Sequence, residues 1–180
     1  MWIKSVMPLS VAATLIGLSG PLFAASTTTN VAVSATVTQS CSITATSAIA
    51  FGTYDPITAN ATTALNATGQ VSVACSKGST SLTIGLDNGT HVAVAQRQMQ
   101  GTTAADLLQY NLFQPPSNTP GTACTFPGTI PWTATGAGLL TLTSAPTKVA
   151  RLYNVCGTIP GGQDVSVGSY TDTVVATLNF

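Results

Sequence analysis

The first stretch with a regular hydrophobic pattern is TTTNVAVSATVTQSC, at residues 27–41. From Val31 onward, apolar side chains alternate with side chains that are small or carry a hydroxyl group. Val31, Val33, Ala35 and Val37 share one face. Alternation with a period of two is typical of a half-buried β-strand. No residue in the stretch is charged, so the pattern predicts a strand that packs one face against an apolar surface.

The C-terminal residues repeat this pattern. Tyr170, Val174, Ala176, Leu178 and Phe180 share one face of the segment 170–180, which predicts a strand that continues to the last residue. Chain ends are usually frayed unless they are tied down. The two terminal strands therefore either pair with each other inside one fold or each pair with a different molecule.

Short strand-like runs bounded by turn residues fill the chain between these ends. They lie at residues 71–75, 81–86, 107–113, 138–143 and 148–155. Asp87-Asn88-Gly89 follows the second run, and Asn-Gly favours the type I′ turn of a hairpin. Residues 91–99 are therefore predicted to be the return strand. Many short strands at this spacing indicate a β-sandwich or barrel.

The first 24 residues have the pattern of a Sec-type signal peptide. Lys4 precedes a short apolar run at 11–18, and the small residues Ala24 and Ala25 follow. The run is too short to span a bilayer. We expect cleavage after Ala24, an N-terminal strand segment at 25–37 and one β-sandwich domain at 38–180 in an exported protein.

Charge is sparse along the whole chain. Lys and Arg total five, and the five acidic residues are all Asp. Without Lys4 the rest of the chain has one net negative charge, which gives no basic surface for nucleic acid. The residues that build soluble helices are scarce, whereas Thr and Val favour strands. The composition therefore predicts an all-β protein that does not bind nucleic acid.

Four cysteines, Cys41, Cys75, Cys124 and Cys156, are typical of an oxidising compartment. None lies in a C-x-x-C pair, so we expect neither a zinc site nor another cofactor. Four cysteines allow three pairings, and the sequence alone does not choose among them. We favour Cys41–Cys75 and Cys124–Cys156, since each bridge then closes a loop within its own half of the chain.

No set of residues supports catalysis. His91 is the only histidine and lies beside the Asn88-Gly89 turn, and no G-x-S-x-G motif occurs. An alternative to a structural role is a secreted carbohydrate-binding module in which Trp132, Tyr110 and Tyr153 form a sugar platform. Core packing of these rings explains their presence equally well.

Three stretches carry a resemblance to a known family. They are CSITATSAIAFGTYDP at 41–56, LQYNLF at 108–113 and GSYTDTVVATLNF at 168–180. The F-G-x-Y-D-P block together with a terminal G-x-Y-x-D strand resembles the spore coat protein U family. The best-known members of that family are subunits of archaic chaperone–usher pili, and the chain looks like the Csu-type major pilins.

The resemblance implies an incomplete immunoglobulin-like β-sandwich that lacks its last strand. A periplasmic chaperone first fills the resulting groove, and the N-terminal segment of the next subunit then replaces it. This implies a donor strand at 26–37, with the C-terminal strand beside the groove. The implied inserted side chains are Thr29, Val31, Val33, Ala35 and Val37; those beside the groove are Val174, Ala176, Leu178 and Phe180.

The implied function is that of a repeating shaft subunit in a surface pilus that supports attachment and biofilm formation. Its partners would be other copies of itself, the chaperone, an outer-membrane usher and minor or tip subunits. A tip adhesin carries a binding domain ahead of its pilin domain, and this chain has room for one domain. The alternative is a secreted carbohydrate-binding or spore-coat-type β-sandwich module, which would purify as a monomer.

Overall fold

The computed structural model describes residues 24–102 and 106–180. The signal peptide expected at 1–24 lies outside the described residues except for Ala24. The chain divides into two units, Met1–Thr36 and Val37–Phe180. In the first unit, residues 24–36 form no hydrogen-bonded strand, and their side chains are exposed. Val31 is 79% exposed and Val33 is 92% exposed.

The regular secondary structure in the described part of the second unit is almost entirely β-strand. The strands are β1 (Cys41–Ser47), β2 (Leu65–Cys75), β3 (Thr83–Leu86), β4 (Val92–Ala93), β5 (Gln96–Gly101), β6 (Leu107–Phe113), β7 (Leu140–Thr141), β8 (Arg151–Ile159), β9 (Tyr170–Thr171) and β10 (Ala176–Asn179). One 3-10 turn covers Gly136–Gly138. No helix in the described residues is long and apolar enough to cross a membrane.

These strands form two antiparallel sheets. The large sheet has the order β1-β2-β8-β6-β5-β4, with β9 also paired to β5, and the small sheet has the order β10-β3-β7. The longest ladder of the large sheet joins β2 to β8, from Leu65 opposite Ile159 to Val73 opposite Arg151. Along β2 the buried residues Val71, Val73 and Cys75 alternate with partly exposed ones, which gives the sheet one apolar face.

The apolar faces of the two sheets enclose a single core. Trp132 is fully buried there, and its indole Nε1 donates a 2.9 Å hydrogen bond to the carbonyl oxygen of Ile84. Other fully buried side chains are Val73, Leu82, Leu112, Tyr153 and Ile159. The all-β, immunoglobulin-like sandwich predicted from the sequence is confirmed.

A buried arginine ties the sheets together. From β5, Arg97 donates through Nη2 to the carbonyl oxygens of Leu86 (3.0 Å) and Trp132 (2.7 Å), and through Nε to that of Asp87 (2.8 Å). Burial lowers the pKa of Arg97, but a guanidinium stays protonated in proteins. Three carbonyl acceptors compensate for the lost hydration of its charge.

The prediction of a hairpin at Asn88-Gly89 is wrong. β3 pairs with β7 and β10, and residues 91–99 instead contribute to β4 and β5, which form their own hairpin through Val94 and Ala95. The Asp87 Oδ1 atom accepts a hydrogen bond from Gly89 N (2.9 Å) and another from Val175 N (2.9 Å). The turn is therefore fixed against the C-terminal segment, and the chain crosses to the other sheet.

The single C-terminal strand predicted to reach residue 180 is also wrong. The segment splits into β9 on the large sheet and β10 on the small sheet, and residues 172–175 cross between them. Elsewhere the predicted strand 107–113 coincides with β6 and is confirmed. The strand predicted at 148–155 is shifted to β8, and that at 138–143 shrinks to β7.

Two disulfides join Cys41 to Cys75 and Cys124 to Cys156, which is the pairing favoured from the sequence. The first links directly opposite residues of β1 and β2. The second fastens the connection after β6 to β8. A hydrogen bond from Asn154 Nδ2 to the Thr122 carbonyl oxygen, 2.8 Å long, lies beside it.

We expect peptide mapping under non-reducing conditions to recover both bridges. Chymotryptic cleavage after Phe51 separates Cys41 from Cys75, and tryptic cleavage after Lys148 separates Cys124 from Cys156. Each bridge closes a loop of over thirty residues, so its reduction should lower the free energy of unfolding by up to about 4 kcal/mol. A Cys41–Cys156 peptide would contradict the pairing.

Candidate functional site

The sandwich has two edge strands that face each other without pairing. β1 pairs only with β2, and β10 pairs only with β3, among the described strands. Each edge therefore has a row of backbone N–H and C=O groups free to pair with another strand. One side of the sandwich is open at this position.

A groove of about 330 Å³ lies between these edges. One wall consists of β1 and the loop that follows it, and the other consists of the C-terminal segment. Its floor is the hydrophobic core itself. The lining side chains include Ala45, Ile49 and Phe51 from the first wall, Thr173, Val174 and Ala176 from the second, and Val71, Leu86, Leu112 and Val155 from the floor. The floor residues are each at most 5% exposed, whereas the apolar wall residues Ile49, Phe51, Val174 and Ala176 are only partly buried. The groove thus has an apolar lining that reaches down to the core.

Two glycines hold the first wall against the large sheet. A Cβ atom on Gly69 of β2 would lie 2.4 Å from Ile49 Cγ1, and one on Gly157 of β8 would lie 2.8 Å from Phe51 Cζ. A larger residue at either position would force these side chains to shift, because the interface is closely packed. Phe51 also packs edge-on against Tyr110, with ring centroids 6.4 Å apart. The wall is therefore formed without a ligand.

Asp172 is the one charged residue among the described residues that line the groove. Its side chain is 2% exposed. Its Oδ2 accepts a 2.6 Å hydrogen bond from the Tyr110 hydroxyl, and Oδ1 accepts from Thr90 N (2.9 Å) and Thr90 Oγ1 (2.6 Å). Burial acts to raise the pKa of Asp172, but the hydrogen bonds from Thr90 and Tyr110 outweigh it and lower the pKa to about 2. Burial and then the bond to Asp172 raise the pKa of Tyr110. The pair is thus a carboxylate and a neutral phenol at pH 7.

Asp87 and Asp172 together fix the start of the second groove wall. Asp172 anchors the crossing segment to the turn at Thr90, while Asp87 binds Val175 through both its carboxylate and its backbone N–H. Sequence reasoning missed both contacts and placed Asp87 only in a turn. The available signal was Asp172 itself, a charged residue on the face otherwise formed by Tyr170 and Val174.

The predicted donor residues do not all lie in one unit. Thr29, Val31, Val33 and Ala35 belong to Met1–Thr36 and are exposed, whereas Val37 belongs to the sandwich unit and is 87% exposed. Of the residues predicted beside the groove, Val174 and Ala176 line it, and Leu178 is half-buried against the core. Phe180 is 58% exposed and does not line the groove.

The structure contradicts the alternative hypothesis that Trp132, Tyr110 and Tyr153 form a sugar-binding platform. Trp132, Tyr110 and Tyr153 are each at most 4% exposed, so their rings cannot stack on a carbohydrate. His91 lies with Nδ1 3.3 Å from Asp172 Oδ1. No group of His, Cys, Asp or Glu that could hold a metal ion occurs among the residues that the structure describes.

Comparison with known proteins gives a family match and a full-length relative. The family model described as Spore Coat Protein U domain matches residues 27–177. The chain is 35% identical to "Protein U" of Myxococcus xanthus over 192 residues, which covers 98% of this chain and 97% of that protein. The match includes both the N-terminal segment and the strands that form the groove.

A solved structure has the same fold. It is the crystal structure of the CsuC-CsuE chaperone-tip adhesion subunit pre-assembly complex from archaic chaperone-usher Csu pili of Acinetobacter baumannii. The matched chain is 22% identical, with a TM-score of 0.50 over 81% of this chain. This chain spans 41% of the length of that solved chain.

The buried carboxylate predicts an acid-sensitive fold. Because the pKa of Asp172 is about 2 in the folded protein and about 3.8 when unfolded, its stabilisation is complete at neutral pH and is lost as pH falls from about 4 to 2. The loss should be about 2 kcal/mol in denaturant unfolding experiments. Asp172→Asn should lack this part of the pH dependence, whereas Asp164→Asn, an exposed control, should keep it. Equal pH profiles for all three proteins would contradict this role.

Proposed function

Because the chain belongs to the Spore Coat Protein U domain family, we propose that it is a subunit of a chaperone–usher pilus, assembled by donor-strand complementation. The observation that carries the proposal is the open groove between β1 and β10. A strand laid between them can pair with both edges and cover the apolar lining of the groove, which is a form of β-augmentation.

The segment at 26–37 has the chemistry that such a groove requires. It carries no charge, and a charge buried in a neighbour's core without a partner would be costly. The side chains on its inserted face, from Thr29 to Val37, are small or β-branched, so they lose little rotamer entropy on burial. Fully extended, these residues reach about 40 Å, which is enough to follow a strand edge along the whole domain.

A chain with both a donor segment and a groove links copies of itself head to tail. Such a contact is heterologous, because two different surfaces of the chain meet, and it propagates into a filament instead of closing as a dimer. This supports the role of a repeating shaft subunit, with the segment at 25–37 as donor and the residues from 38 onward as the acceptor domain.

The remaining partners follow from the exposed groove. A subunit without a donor exposes apolar side chains and unpaired strand edges, which promotes aggregation. A periplasmic chaperone that fills the groove prevents this, and the Csu complex is a case of a pilus subunit held with its chaperone. The proposal therefore includes a cleaved leader at 1–24, an outer-membrane usher, minor or tip subunits, and a surface pilus that supports attachment and biofilm formation. It requires no cofactor and no catalytic step.

The full-length similarity to Protein U favours a second candidate, a secreted spore-coat-type module. The two roles differ in what accompanies the purified protein. A pilus subunit with an unfilled groove copurifies with a chaperone or polymerises, whereas a coat-type module that fills its own groove is a monomer.

A charge on the inserted face should block assembly. Val33→Asp places a carboxylate in the neighbour's groove, so we expect fibres to be absent while the subunit still binds its chaperone. Ser34→Asp is the matched control, because it adds the same charge one residue further on the opposite face of the strand. Electron microscopy of fibres and copurification with the chaperone measure the two outcomes. Normal fibres from Val33→Asp would refute the assignment of the inserted face.

Removal of the donor segment gives an independent test. Deletion of residues 26–35 in cells with the rest of the assembly system intact should abolish surface pili, while the subunit accumulates as its chaperone complex. The leader and Ala25 remain in place, so export should be unaffected. If pili of normal length persist, the chain is not a shaft subunit and the coat-type role is favoured.

A further inference from the structure

Three of the four cationic side chains of the sandwich unit lie at one end of it. β2 ends at Cys75 and β8 begins at Arg151, and the ladder between them brings these termini together. Lys77 follows the first strand and Lys148 precedes the second, and both are exposed. Arg151 is half-buried, with Nη1 donating to the Thr143 carbonyl oxygen at 2.8 Å. Lys77 and Lys148 also line one recess of about 620 Å³.

Three aspartates lie at the opposite end, where β2 begins and β8 ends. Asp106 immediately precedes β6, and its Oδ2 accepts a 2.7 Å hydrogen bond from Ser166 N in the loop that also contains Asp164. Tyr54, next to Asp55, donates a 3.0 Å hydrogen bond to the Pro160 carbonyl oxygen of the same loop. The eleven residues of β2 separate the two ends by about 33 Å.

The other charges of the sandwich do not lie at these ends. Arg97 and the Asp172 side chain are buried in hydrogen bonds. Asp87 is half-buried, and its carboxylate binds the backbone N–H groups of Gly89 and Val175. The two ends therefore carry three cations and three anions, respectively.

The N-terminal segment is rooted at the cationic end. Ser76, which lies between Cys75 and Lys77, donates from Oγ to the carbonyl oxygen of Thr38 at 3.3 Å and accepts from Ser40 N at 3.2 Å. Val37 lines the same recess as the two lysines. The polypeptide chain enters the sandwich unit at Val37, so the residues before it are covalently attached at this end. In a filament this end must therefore face the subunit that accepts them.

We propose that successive subunits meet with the cationic end of one against the anionic end of the next. The inference rests on the proposed function, and it fixes the direction of the donor strand. β10 runs toward the cationic end, since its last residue, Asn179, pairs with Thr83, the residue of β3 nearest in sequence to Lys77. A donor that enters from the anionic end is therefore antiparallel to β10. The opposite direction would bring two cationic ends together, and such like-charge contacts are disfavoured.

The rate at which purified chaperone-bound subunits join, followed by gel electrophoresis of the linked products, tests this junction. Lys77→Gln/Lys148→Gln should join about tenfold more slowly than the natural protein at about 20 mM salt, because charge complementarity mainly raises the association rate. The difference should disappear at about 500 mM salt, where exposed charges are screened. Asp164→Asn should act in the same direction by a smaller factor.

A matched control separates position from net charge. Ala123→Glu/Thr125→Glu changes the net charge by the same two units but lies beside Cys124, which is bonded to Cys156 midway along β8. This variant should join at the natural rate and keep the natural salt dependence. If it slows joining as much as the lysine variant does, the effect is one of net charge and the proposed junction is wrong.

A synthetic peptide of residues 25–36 distinguishes this inference from the proposed function. The peptide has no charged side chain, so it should replace the chaperone in the natural subunit and in the lysine variant at equal rates. If the peptide inserts but whole subunits of the lysine variant join at the natural rate, donor-strand exchange is supported and the charged junction is refuted. If the peptide does not insert, both the proposed function and the charged junction are refuted.

Discussion

The unpaired edges of β1 and β10 are the constraint on which the other features of this chain depend. Apolar side chains such as Ile49 and Val174 line the gap and are only partly buried against the core, so the fold leaves apolar surface accessible there. Burial of apolar surface stabilises a fold by about 25 cal/mol per Å², and this sandwich forgoes part of that stabilisation. The same gap makes another strand the natural ligand, because only a strand satisfies both apolar contact and two rows of backbone hydrogen bonds.

A groove with an empty strand position must keep its shape without the strand. The walls are held by polar contacts that do not depend on a ligand: Asp172 binds Tyr110 and Thr90, and Asp87 binds Val175. Arg97 holds the backbone at the floor of the groove by donating a hydrogen bond to the Leu86 carbonyl oxygen. The Cys41–Cys75 bridge holds the outer edge strand to its neighbour. A groove formed in advance reduces the entropy that binding must offset, so more of the contact energy remains for affinity.

The local pattern predicted the class of fold but not its pairings. The strand-like run at 107–113 coincides with β6, in which every second residue is buried, so the strand is recognisable from local sequence alone. It failed at Asn88-Gly89, where Asp87 is bound to Val175, a residue far away in the sequence that no local turn preference can reveal. The role of Asp172 was missed for the same reason, since its partners Thr90 and Tyr110 come from other strands and turns. The groove itself entered only through the family resemblance, because a missing strand has no pattern of its own.

In the proposed assembly, two kinds of force would act at different stages. The segment at 26–37 carries no charge, and the groove carries one carboxylate, Asp172, which is already satisfied by hydrogen bonds. Apolar contact and backbone pairing, which act only at short range, would therefore determine how tightly an inserted strand is held. Charges at the ends act over about 8 Å in physiological salt, so in the proposed junction they would orient two subunits before the strand enters. A charge in the middle of either surface would disturb the register of the strand, whereas a charge at the ends affects only the approach.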